Sequence, residues 1–244
     1  MLSVLDRFSV LSMGPRLRED DITLRLSSPR MLRCNIHHST SHRMTLIKFI
    51  EIMAILVGAF SGFIEARRKR MDLVGVFTVA FITAFGGGTL RDILLDRRPL
   101  FWVTHQEYAI LIFVLALVAS PLIRTLRQMV SERLIVIADA IGLGLFSIAG
   151  VASALDAQMP LFIASMMGVI TGIFGGVLRD IVCNEVPMVF RDGKPYAICA
   201  FLGSWMFLVM RKLEMPHDFA LWSSATFISG LRLLSWKFDM RLGR

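Results

Sequence analysis

The chain has 244 residues, 55% of them hydrophobic and 19% charged, with a formal net charge of +8. A water-soluble domain carries roughly 25% charge; here the charges gather at the N-terminus and between apolar stretches of about 18–20 residues, enough for helices to cross a bilayer, and the mean hydropathy is +0.63. Composition therefore excludes a soluble domain, and the basic excess does not point to nucleic acid, because the Lys and Arg sit in loops between apolar spans where the positive-inside bias accounts for them.

Residues 1–43 differ from the rest, being polar, with seven Arg against four acids, Pro15 and Pro29, and no continuous apolar run for a signal peptide. His37, His38 and His42 lack a second ligand cluster, so no metal is expected. Met44 opens "MTLIKFIEIMAILVGAFSG", which reads like a natural start. The expectation is a leader over 1–43 that is disordered or a misassigned start. Seven helices are predicted after it, near 46–65, 72–97, 106–124, 134–155, 160–185, 195–212 and 218–236. The three cysteines, Cys34, Cys183 and Cys199, have no CxxC spacing and read as small apolar fillers.

Loop charges set an orientation. Arg67–Arg70 follow the first helix, Arg124, Arg127 and Arg133 surround the loop after the third, and Lys237, Arg241 and Arg244 follow the seventh. The loop after the fourth has only Asp156. This predicts an inner-membrane, multi-pass chain with its N-terminus outside and its C-terminus cytoplasmic.

An internal repeat dominates the rest. A shift of 88 residues aligns the halves without a gap from about Ile50 to Ile110. Gly87, Gly88, Leu90, Arg91, Asp92 and Ile93 meet Gly175, Gly176, Leu178, Arg179, Asp180 and Ile181, and "YAI" at 108–110 meets "YAI" at 196–198. Each copy holds three helices, and an odd number turns the second copy over. The expected architecture is all-α: repeat 1 over 44–125, repeat 2 inverted over 132–213, and a seventh helix with a short cytoplasmic tail over 217–244. Inverted repeats with interrupted helices recur in transport proteins. Gly86, Gly87 and Gly88, and Gly172, Gly175 and Gly176, are the expected interruptions, where a helix kinks or another backbone comes close.

Behind the glycines stand Arg91–Asp92 and Arg179–Asp180. Ionisable groups in a membrane are costly and usually paired, so each pair is either a structural clamp or the lining of a polar path. In the first helix Glu51, Ala54, Gly58, Ser61, Gly62 and Glu65 share one face; the equivalents are Asp139, Gly142, Phe146, Ala149, Gly150 and Ser153. Small residues at this spacing commonly pack helices. Glu51 and Asp139 add a negative excess that favours cations over anions. Arg232 in the last helix either snorkels to the cytoplasmic side or pairs with an acid of the repeats.

The strings "GGGTLRD" followed by "PLFW", "GGVLRD" followed by a proline and "VF", and "RLLSW" in the last helix resemble the bacterial branch of the TRIC family, the trimeric intracellular cation channels. The resemblance covers about Leu46 to Leu242. It implies a homotrimer with one pore in each protomer, permeable to K+ and other monovalent cations such as Na+. The pore is flanked by the kinked second and fifth helices, at Gly86, Gly87, Gly88, Arg91 and Asp92 and at Gly175, Gly176, Arg179 and Asp180. Phe174 stands where the first motif has Gly86, which implies a shallower second kink. The same bacterial domain is also described as a glycine transporter, so a carrier of a small zwitterion is the alternative. A membrane enzyme acting on a phosphorylated lipid is a remote third reading, since HExxH, GxSxG and GxxxxGK[ST] are all missing. No catalytic residue, metal or cofactor is expected.

Overall fold

In the computed structural model, residues 30–125, 132–190, 195–238 and 240 are described. The chain divides into two units, Met1–Ser41 and His42–Arg244, and the site lies wholly in the second. Among the described residues there are eight helices and no strands. They are α1 (Arg30–Arg68), α2 (Leu73–Leu94), α3 (Phe101–Thr104), α4 (Gln106–Thr125), α5 (Glu132–Asp156), α6 (Leu161–Val182), α7 (Tyr196–Lys212) and α8 (His217–Lys237). Seven helices were expected; the addition is α3, one turn too short to show a hydrophobic period. Helix α1 begins at Arg30, inside the segment read as a leader, in a stretch without Gly or Pro up to Gly58. Residues 1–29 lie outside the described part, as do Arg127, Arg241 and Arg244. Four helical segments are long and apolar enough to cross a membrane: Lys48–Arg68, Leu73–Leu94, Arg133–Asp156 and Leu161–Val182.

Local chemistry fixes the helix ends. Asp72 caps α2, its Oδ1 accepting the Gly75 amide at 2.8 Å. Pro160, Pro195 and Pro216 stand directly before α6, α7 and α8, where their missing N–H costs nothing. Helix α2 ends on Asp96 at φ 50° and α6 on Asn184 at φ 54°, residues whose short polar side chains tolerate the left-handed region. The next amide turns back in both, Arg97 N–H to Asp92 O and Glu185 N–H to Asp180 O, each at 2.8 Å. Arg70 and Gln158 close α1 and α5 the same way, at φ 59° and 58°. Each pair of ends is 88 residues apart, so the repeat in sequence is also a repeat in backbone conformation.

Helices α2 and α6 cross at close range, and α5 packs against both α6 and α8. A Cβ added to Gly87 would land on the Thr171 carbonyl oxygen, and one on Gly175 would lie 2.5 Å from that of Thr83. These are two equivalent contacts, each the 88-residue counterpart of the other, and their register is antiparallel. The threonine hydroxyls turn inward on their own helices, Thr83 to Val79 O at 2.6 Å and Thr171 to Met167 O at 2.7 Å. Both helices run through their glycines without a break in the helix, and of the two roles expected of the glycines the close approach of another backbone is the one seen. The glycines here admit a neighbouring backbone, as small residues do between membrane helices. Gly86 and Gly172 face side chains, Leu178 and Ser147 respectively, and of the six glycines expected as interruptions Gly88 alone looks onto open space.

Substituting Gly175→Val therefore destabilises the protein by about 3 kcal/mol or more, because a backbone carbonyl cannot yield as a side chain does. Gly88→Ala, with nothing within 4 Å of the added carbon, stays within about 0.5 kcal/mol of wild type. Thermal unfolding of the purified protein in detergent reads both.

Candidate functional site

Two charge clusters flank the α2–α6 crossing. In the first, Arg91 on α2 sends Nη1 to Glu51 Oε1 of α1 at 2.6 Å and Nε to Asp92 Oδ1 at 2.9 Å. In the second, Arg179 on α6 sends Nη1 to Asp139 Oδ1 of α5 at 3.2 Å and Nε to Asp180 Oδ1 at 2.9 Å. Arg91 is 4% exposed and Arg179 1%. Guanidiniums buried this deeply need their donors satisfied, and two carboxylates do it in each case. The second oxygen of each aspartate anchors the chain as it leaves the helix. Asp92 Oδ2 accepts the Phe101 amide at 3.2 Å, and Asp180 Oδ2 that of Met188 at 2.9 Å.

The sequence suggested self-contained Arg–Asp pairs and separate, unpaired acids. The structure corrects this: Glu51 and Asp139 complete the arginine sites. Each cluster is a triad of two carboxylates and one guanidinium, so one negative charge remains in excess. The pairing spans 40 residues in both copies, a distance no local pattern reveals.

The clusters are not identical. Arg179 also donates to Ser61 Oγ at 2.6 Å, and the Tyr196 hydroxyl donates to Asp139 Oδ2 at 2.6 Å. Tyr108, its counterpart, stacks on Phe101 instead. Sequence reasoning missed Tyr196 as a site residue, although the repeated "YAI" marked its position. Among the described residues Arg232 forms no ion pair with an acid. It is 3% exposed, and its guanidinium lies over the Tyr196 ring, 4.6 Å from the centroid, a cation–π contact. A chain of contacts thus runs from α8 through α7 and α5 to α6.

Small cavities adjoin each triad. One of about 20 Å³ touches Glu51, Gly88 and Arg91; another of about 20 Å³ touches Asp139, Gly176 and Arg179. Each has room for about one water. A third cavity of about 140 Å³ lies beyond Arg179, walled by Glu65, Arg68, Asp180 and Glu185. Lys69 bridges to Glu185 at its edge. At the other end Arg97 donates to the Ser153 carbonyl at 2.9 Å. Among the described residues no group of His, Cys, Asp and Glu is arranged to hold a metal ion.

Removing one partner from a buried ion pair costs about 3–5 kcal/mol, because the remaining charge stays buried. Arg179→Met accordingly lowers stability by about that amount or prevents folding. Arg98→Met changes it by less than about 0.5 kcal/mol, since the Arg98 side chain is 74% exposed. Comparing the yield of monodisperse protein and its unfolding temperature checks the contrast.

Comparison with known proteins agrees with this geometry. The sequence model of the family described as Glycine transporter matches twice, over residues 48–123 and 136–212, with starts 88 residues apart. The UPF0126 inner membrane protein YadS of Escherichia coli (strain K12) is 38% identical over 65% of this chain and 75% of its own length. A UPF0126 membrane protein of Vibrio cholerae serotype O1 is 33% identical over 85% of this chain and 87% of its own. Among solved structures, the TRIC trimeric intracellular cation channel orthologue from Rhodobacter sphaeroides superposes with a TM-score of 0.74 at 29% identity, over 80% of this chain and 100% of that one. Two matches to one family model, on a helical framework shared with that orthologue and carrying a buried arginine triad in each half, place the chain in the glycine transporter family of membrane proteins and in the bacterial branch of the TRIC family.

Proposed function

We propose that the protein is a passive channel for monovalent cations, K+ first and Na+ with it, with one permeation path in each protomer along the α2–α6 crossing. The observation that carries this reading is the pair of triads, each with one carboxylate more than it has guanidinium, each beside a cavity. A negative excess in a low-dielectric surrounding attracts cations and repels anions. The cavities beside the triads have room for about one water each, which on this reading corresponds to a closed path. Gly86, Gly87 and Gly88 and Gly172, Gly175 and Gly176 line or shape the path; Arg91, Asp92, Arg179 and Asp180 hold its two ends; Glu51 and Asp139 supply the excess charge.

The reading includes the architecture. Residues 44–125 and 132–213 form two three-helix units of opposite orientation, with α8 and the segment 217–244 added. The antiparallel register of Gly87 and Gly175 against Thr171 and Thr83 supports it. So do the ties between helix ends, Lys69 to Glu185 at one end and Arg97 to Ser153 at the other. The assembly is a homotrimer in the inner membrane with its N-terminus outside and its C-terminus cytoplasmic.

A secondary carrier for glycine is the second reading, and the family description favours it. A carrier needs a cation free to meet the substrate carboxylate. Arg91 and Arg179 already spend their donors on two carboxylates each, which argues against either of them holding a substrate carboxylate or a lipid phosphate; the buried Arg232, whose Nε and Nη1 have no partner among the described residues, is the cation that would serve a carrier. Reconstitution decides between them: K+ flux under an ionic gradient and radiolabelled glycine uptake are measured in the same vesicles. A K+ current linear in voltage without saturable glycine uptake supports the channel; saturable, coupled glycine uptake without K+ current overturns it.

A carboxylate about 4 Å from a passing cation is worth about 1 kcal/mol even at the dielectric of water. Neutralising both acids as Glu51→Gln with Asp139→Asn lowers the cation-over-anion permeability ratio by at least about fivefold. The amide oxygens still accept from Arg91 and Arg179. The reversal potential in asymmetric KCl measures the ratio.

A further inference from the structure

We infer that the Phe146 ring is the hydrophobic constriction of the permeation path, standing between two halves that each end in a charge triad. This rests on the channel reading above and adds the residue that closes it. The two small cavities have equivalent walls: Ile55, Ala84 and Gly88 in one, and Leu143, Gly172 and Gly176 in the other, each 88 residues further on. Phe146 lines both. Among the described residues it is the single side chain that the two walls share.

The position opposite explains how the ring fits. The counterpart of Phe146 is Gly58. A Cβ on Gly58 would stand 3.3 Å from Phe146 Cε2 and 3.2 Å from the Ala84 Cα. The ring thus occupies the space that a side chain at 58 would need. It is 9% exposed and carries no polar atom. A cation moving from the Glu51 side to the Asp139 side leaves one carboxylate, meets this ring, and reaches the next carboxylate beyond it. Hydrophobic constrictions of this kind stop ions by excluding the water that would hydrate them. The ring is held from α5, two turns beyond Asp139, so a turn of one side chain opens the passage while both triads stay assembled.

The test is K+ flux from vesicles holding equal amounts of wild-type protein, Phe146→Ala, Phe146→Leu and Phe146→Trp, each taken from the fraction that elutes as the wild type does. The expected order is Ala, Leu, wild type, Trp from fastest to slowest, with Ala about tenfold above wild type. The cation-over-anion preference stays unchanged, because the acids are untouched. Should Phe146→Ala fail to fold, the Leu and Trp variants carry the order on their own. A ring that only fills space lowers the unfolding temperature and leaves flux at the wild-type rate; equal flux in wild type and the folded variants overturns the inference and leaves the channel reading standing. Absence of K+ flux above protein-free vesicles in the wild type and every variant overturns the channel reading, and the constriction with it.

Discussion

Two buried guanidiniums, Arg91 and Arg179, are surrounded by acceptors, and that arrangement organises this fold; the equally buried Arg232 instead lies over an aromatic ring, its Nε and Nη1 unpartnered among the described residues. Arg91 and Arg179 are almost fully buried, so their donors go to carboxylates, and one aspartate beside each arginine is not enough for the fork it presents. The second acid comes from another helix: Glu51 on α1 for Arg91, and Asp139 on α5 for Arg179. Neither helix of such a pair can rotate or slide without stranding a charge. Asp92 and Asp180 use their remaining oxygens to hold the chain that follows. Each triad therefore fixes a helix pair and the loop behind it, and the α2–α6 crossing hangs between the two.

The crossing contributes the opposite property. Between Gly87 and Thr171, and again between Gly175 and Thr83, backbone meets backbone with no side chain between. Such contacts are held by close approach and dispersion, not by ion pairing. The molecule joins rigid, charge-tied ends to a bare central contact. Conformational change is easiest where no ion pair has to break, which places it at the centre and not at the triads.

The sequence carried a large part of this. The 88-residue period foretold which positions would correspond, and the structure repeats the match in helix ends, in threonine hydroxyls and in arginine partners. Glycine content marked the crossing, but glycine permits both a kink and a close approach, and only the position of α6 decides between them. Glu51 and Asp139 stood out as acids on an apolar face, yet their arginine partners are 40 residues away and invisible to helical periodicity. Arg232 sits in the last apolar helix, where either snorkelling or pairing with an acid of the repeats was expected. Its contact with the Tyr196 ring depends on how α8 packs against α7, which no spacing encodes. The single turn α3 was missed because four residues give no period to read.

Gly58 and Phe146 also bear on how such a chain arises. Where two identical subunits meet about a two-fold axis, a position near that axis faces its own copy, so a ring there brings a second ring into the same space. Joining the two halves in one polypeptide frees the positions from each other: one can empty while the other fills. A glycine against a phenylalanine is an arrangement that a pair of identical subunits has no means of encoding, and it makes substitutions at 58 and 146 dependent on one another, each tolerable only in light of what the other has become.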